Sequence, residues 1–126
     1  MVKPVPILGT LVLLGAIVQV VFGFQVAADV EAFRGVHILF GSVGLVLVAV
    51  RAVIAFRSKS ASIYSKLIIV VLAIVVLLQV GLGLQLLGGE ESLVVSHEMN
   101  GFLIVVLSLA MGGVTFVSAK RHSMAL

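Results

Sequence analysis

Four long apolar runs, roughly 5–26, 36–56, 67–88 and 97–118, decide what this chain can fold into. Each has about the twenty residues that an α-helix needs to cross a hydrocarbon core of about 30 Å. Backbone N–H and C=O groups in lipid have no water to bond, so such runs satisfy them internally, as helices. A water-soluble fold fails on surface area. Of the 126 residues 62% are hydrophobic and 10% charged, and a domain of this size has too little interior to hide that much apolar surface. The sequence predicts an all-α integral membrane protein: one four-transmembrane-helix bundle, a single domain over residues 1–126. The first run is preceded by Lys3 and followed by Ala27 and Ala28, the outline of a signal peptide. It is long for a signal h-region, and is expected to stay as a mature helix.

The charges sort by loop. Every Lys and Arg except Arg34 lies near the N-terminus (Lys3), between the second and third runs (Arg51, Arg57, Lys59, Lys66) or near the C-terminus (Lys120, Arg121). The acids Asp29, Glu31, Glu90, Glu91 and Glu98 lie in or beside the other two loops. The positive-inside rule then puts both termini and the middle loop in the cytoplasm. The expected location is a prokaryotic cell membrane, with lipid as the surrounding partner. The net charge of +3 is accounted for by this topology and does not point to nucleic acid. There is no cysteine, which excludes disulfides, iron–sulfur clusters, covalently attached c-type haem and thiol chemistry.

Sliding the chain by sixty residues brings unlike-for-chance residues into register. Gln19 falls on Gln79, Gly23 on Gly83, Gln25 on Gln85, Glu31 on Glu91, His37 on His97 and Gly41 on Gly101. Apolar coincidences are cheap in such a chain, but the Gln, Glu and His matches are not. They predict two tandem helical hairpins, about 5–58 and 65–118, related by an axis along the membrane normal.

His37 and His97 each open an even-numbered helix near the outer face. Ionisable groups at membrane depth are costly and face the bundle interior. Two equivalent hairpins would therefore turn both imidazoles inward at one height. Imidazole is a metal ligand and an axial ligand for haem iron, and a flat macrocycle takes one ligand from each side. Gly41 and Gly101, one helical turn below the histidines, leave room for a ring plane or a close helix, as Gly23 and Gly83 do on the odd helices. The same glycines also suit plain helix packing. A zinc site competes, with Glu31, Glu91 and Glu98 as further ligands, because zinc wants three or four from the protein. The glutamines of one helix do not share a face. Gln25 and Gln85 are expected at the helix ends, capping loops or meeting a cofactor edge. Gln19 and Gln79 lie deeper and are expected to form interhelical hydrogen bonds, including to the other nitrogen of a ligand histidine. Arg34, one turn before His37, suits a carboxylate such as a haem propionate, and equally a solvated pairing with Asp29 or Glu31. Asn100 and Ser96 are polar partners near the rim. Met99 and Met111 are expected to pack, and His122 to be solvated.

The segment "LLQVGLGLQLL…VSHEMNGFLIVVL", Leu77 to Leu107, resembles the haem A synthases, membrane enzymes that oxidise a methyl group of haem O. Their chains are generally two four-helix bundles, each with a histidine pair on its second and fourth helices, and a Gln-x-x-x-Gly stretch ahead of the second histidine. The resemblance implies that His37 and His97 are the axial ligands of one haem b. The chain departs from the family's catalytic half. That half carries Glu-x-x-His-Arg, whereas here Arg34 stands three before His37, Ile38 follows it, and Glu31 is six before. The external cysteine pair of many members is also missing. The resemblance is thus to the half that holds haem b.

With both axial positions filled, such an iron suits electron transfer. The expected function is a b-type cytochrome with one bis-histidine haem near the outer face, working with other respiratory or redox membrane subunits or with a quinol. Two other functions stay open. One is a half-size haem A synthase-like enzyme completed as a homodimer, and the other a cofactor-free structural subunit or small transporter.

Overall fold

The computed structural model describes residues 4–28 and 31–124, with side chains over 7–28 and 31–117. Lys3 and Asp29, and the side chains of Lys120, Arg121 and His122, lie outside the described residues. The chain forms α1 (Pro4–Ala27), α2 (Ala32–Arg57), α3 (Ile63–Leu87), one 3-10 turn (Glu91–Leu93) and α4 (Val94–Met124). The segments Ile7–Ala27, Ala32–Arg57, Ile63–Leu87 and Glu91–Val117 are each long and apolar enough to cross a membrane. The protein is a membrane-spanning four-helix bundle.

The helix ends have local causes. Pro4 and Pro6 fall in the first turn of α1, where a missing N–H costs nothing. Ser62 caps α3, its hydroxyl accepting from the Ser65 N–H at 3.1 Å. Beyond α3, Gly89 adopts φ +95°, a conformation open to glycine. It lets the Glu90 N–H reach the Gln85 carbonyl (3.1 Å) and its own N–H reach that of Leu86 (3.0 Å). Those two bonds satisfy carbonyls that the helix end would leave bare.

α1 packs against α2 and α4, and α3 against α2 and α4. The pairs α1/α3 and α2/α4 are therefore the diagonals. Val12, Val48, Ile69, Leu72, Val76 and Met111 form the buried core. Apolar residues also cover the outside: Leu39, Val46, Ile74 and Val95 each expose more than half their surface. In water that exposure would be ruinous, but hydrocarbon is as apolar as leucine. Buried positions also recur at a spacing of sixty, as Val12 with Leu72, Ala16 with Val76, Val48 with Ser108 and Arg51 with Met111.

Arg51 corrects the sequence reading. It is not a residue of the loop between the second and third spans. It lies inside α2, only 5% exposed, because its guanidinium finds partners on α4.

Candidate functional site

Two short patterns build the site. The odd helices carry Gln-x-x-x-Gly (19–23 and 79–83), and the even helices His-x-x-x-Gly (37–41 and 97–101). Residues four apart share a helix face, so neighbouring helices mesh them reciprocally. A methyl group on Gly23 would sit 3.5 Å from His37 Cε1, and one on Gly83 would sit 3.2 Å from His97 Cε1. A methyl on Gly41 would come 2.8 Å from Gln19 Nε2, and one on Gly101 would come 3.4 Å from Gln79 Nε2. The glycines of the odd helices thus give room to the imidazoles. Gly41 and Gly101 give it to the glutamine amides, a more specific use than the ring plane or close helix expected from sequence.

His37 and His97 come from the diagonal helices α2 and α4, and their rings meet with centroids 6.0 Å apart at 66°. Gln79 Nε2 lies 3.2 Å from His97 Nε2. Asn100 Nδ2 donates to the Val75 carbonyl (3.0 Å) and to Gln79 Oε1 (2.7 Å). A carbonyl oxygen only accepts, so the network turns the Gln79 amide N–H toward His97. Gln79 therefore ties one nitrogen of that ring.

The first hairpin lacks this chain of bonds. Phe40 occupies the position sixty residues before Asn100, and Gln19 Oε1 is enclosed without a hydrogen-bond partner among the described residues. Among the described residues His37 Nδ1 and His97 Nδ1 are also enclosed without a well-formed hydrogen bond, though the backbone of Gln19 and of Gln79 lies against the respective rings. An enclosed polar atom left without a hydrogen bond is costly, about 1–3 kcal/mol. Such groups in a native fold mark strain, chemistry or a bound species.

The other candidates lie apart from the pair. Arg34 is in the first turn of α2, one turn before His37, and is exposed. Among the described residues its guanidinium makes no ion pair. Gln25 and Gln85 are exposed near their helix ends and form no side-chain hydrogen bond among the described residues. Glu31, Glu91, Glu98 and Ser96 are exposed too. Among the described residues no group of three or more His, Cys, Asp or Glu gathers, so the ligand set zinc requires is not assembled. Met99 is 63% exposed and Met111 is in the core.

Two features exceed the sequence reading. Asn100 is not a rim residue but 8% exposed, and three residues after His97 it shares that helix face. Arg51 donates from Nε to Met111 Sδ (2.9 Å) and from Nη2 to Thr115 Oγ1 (3.0 Å). A methyl on Gly9 would meet its Nη1 at 3.2 Å. A single charge inside an apolar run, six residues before Arg57, was the available signal. Fourteen residues of α2 separate it from His37, about 21 Å along the axis.

The chain matches no family model, no curated protein and no solved structure.

Proposed function

We propose that this protein is a b-type cytochrome of the membrane that holds one haem between His37 and His97. The observation that carries the reading is the pair itself: two imidazoles from diagonal helices with centroids 6.0 Å apart, each with an enclosed Nδ1 that makes no well-formed hydrogen bond among the described residues. Two ring nitrogens each about 2 Å from one metal put the ring centres about 6 Å apart. A pair of histidines is a poor complete set for a bare ion. It would suffice for an iron that brings the rest of its ligands in a macrocycle, which His37 and His97 would hold. When bound, the haem supplies one-electron redox chemistry. Gln79, fixed by Asn100, orients His97; with its N–H turned to His97 Nε2, iron at Nδ1 would require the Gln79 amide to reverse so that His97 Nε2 donates, the sense in which ligand histidines are tied. Gly23 and Gly83 keep both rings free to approach the axis.

The finer topology belongs to the same reading. Two tandem hairpins, one from each half of the chain, are supported by the equivalent burial at positions sixty apart and by the reciprocal Gln–Gly and Gly–His meshing. Both termini face the cytoplasm, and the histidines lie toward the outer face. Arg34, exposed at that end, is the cation available to a propionate. The likeness to the haem b-holding half of haem A synthases points the same way. The protein passes electrons within a redox assembly and is not a complete enzyme.

Haem extraction from purified protein tests this. The expectation is one haem b per chain and no conversion of added haem O. Turnover of haem O would instead favour the half-size enzyme. Protein that carries no haem when expressed with ample haem supply would favour a cofactor-free subunit.

A further inference from the structure

A slot of about 500 Å³ lies between α3 and α4, lined by Leu78, Leu82, Ser96, Met99, Asn100 and Leu103. Leu78 and Met99 are more than half exposed within the spans, so the mouth opens on hydrocarbon. Its base is polar. Asn100 is 8% exposed, and both hydrogens of its amide are spent on Val75 and Gln79. Its Oδ1 accepts no hydrogen bond among the described residues. That oxygen is not fully enclosed, and Asn100 lines the slot.

The equivalent place in the first hairpin carries bulkier side chains. Phe22 stands sixty residues before Leu82, and Phe40 sixty before Asn100. Their rings pack edge to face at 5.4 Å, with Phe33 at 5.5 Å from Phe22. Aromatic side chains stand there in place of Leu82 and Asn100.

We propose that this slot binds the head of a lipid-soluble ring diol, a hydroquinone. The ligand must enter from hydrocarbon, which requires an apolar body. It must also donate a hydrogen bond, because the only free capacity of Asn100 is an acceptor. A ring hydroxyl donates; the carbonyl of the oxidised quinone does not. The site therefore favours the reduced form. Ser96, the other polar residue of the slot, can donate to or accept from a ring oxygen of either form, and so leaves the preference to Asn100. The bond path Asn100–Gln79–His97, at 2.7 and 3.2 Å, places the ligand head beside a proposed haem ligand. The inference rests on the haem reading for its redox purpose, though not for its binding chemistry.

Anaerobic calorimetric titration of the purified, detergent-solubilised protein with a decyl-tailed hydroquinone and with its quinone tests the proposal. The diol is expected to bind about tenfold more tightly, the scale of one hydrogen bond lost at a buried polar group. Leu82→Phe, which copies Phe22, should weaken diol binding at least about tenfold with the helix content unchanged. Asn100→Leu should erase the preference for the diol. Equal affinity for the two ring forms, or wild-type affinity in Leu82→Phe, overturns the proposal. Haem content measured on the same samples separates the two ideas. Selective diol binding without haem would sink the haem reading alone, whereas bound haem without diol selectivity would sink the slot alone.

Discussion

Gly83 leaves His97 little slack. An alanine there needs the ring to move by a few tenths of an ångström, since its methyl would sit 3.2 Å from Cε1. At Gly23 the same methyl would make an ordinary 3.5 Å contact with His37. At Gly41 it would press on the far end of Gln19, a flexible side chain. At Gly44 it would meet nothing within 4 Å. Overpacking a fitted site costs about 1–3 kcal/mol. Gly83→Ala should therefore destabilise by about 1 kcal/mol or more, Gly23→Ala by less, and Gly44→Ala not at all. Thermal unfolding in detergent reads the series, and equal losses at Gly83 and Gly44 would contradict the meshing described. At this scale the histidines and the deep glutamines were legible, because polar residues repeating in an apolar chain stand out. Which glycine serves which side chain was not. Sequence gives the spacing within a helix but not the offset between two helices. Asn100 was placed too near the rim for the same reason: its depth depends on the Val75 carbonyl of a neighbouring helix.

Between elements, Arg51 ties α2 to α4 at the end of the bundle away from the histidines. Burying a cation in lipid surroundings is expensive, and partners at Met111 Sδ and Thr115 Oγ1 offset part of that cost. Removing one partner of a buried charge is worse than removing the charge itself. Thr115→Val should thus cost about 1–2 kcal/mol in the wild-type background, where it deprives the guanidinium of an acceptor. The same change should be near neutral in an Arg51→Met background. A double-mutant cycle on unfolding in detergent checks this, and additive effects would contradict it. The helices themselves were legible as apolar runs, but their ends were not. α2 begins at Ala32 and not at 36, and α4 continues to Met124 and not 118. Hydropathy stops at Arg34 or Lys120, whereas backbone hydrogen bonding runs on through charged residues at the lipid–water boundary.

At the scale of the whole molecule, the four spans follow from composition and bilayer thickness with little ambiguity. Sidedness rests on where the charges lie. Because the chain has no cysteine, single cysteines report it cleanly. Ser60→Cys, in the loop between α2 and α3, should resist a membrane-impermeant maleimide in intact cells. Glu90→Cys, between α3 and α4, should react. The reverse pattern would invert the topology and bring the histidines to the cytoplasmic side. The central claim, one haem shared by His37 and His97, was suggested by two residues sixty apart. It is supported by two rings with centroids 6.0 Å apart, each with an enclosed nitrogen that forms no well-formed hydrogen bond among the described residues. Its most direct test is the reduced-minus-oxidised absorption spectrum of the purified protein beside His37→Ala and His97→Ala. The account predicts low-spin b-type Soret and α bands in the wild type and their loss in each variant. Wild-type bands in either variant, or none in the haem-supplied wild type, would contradict it.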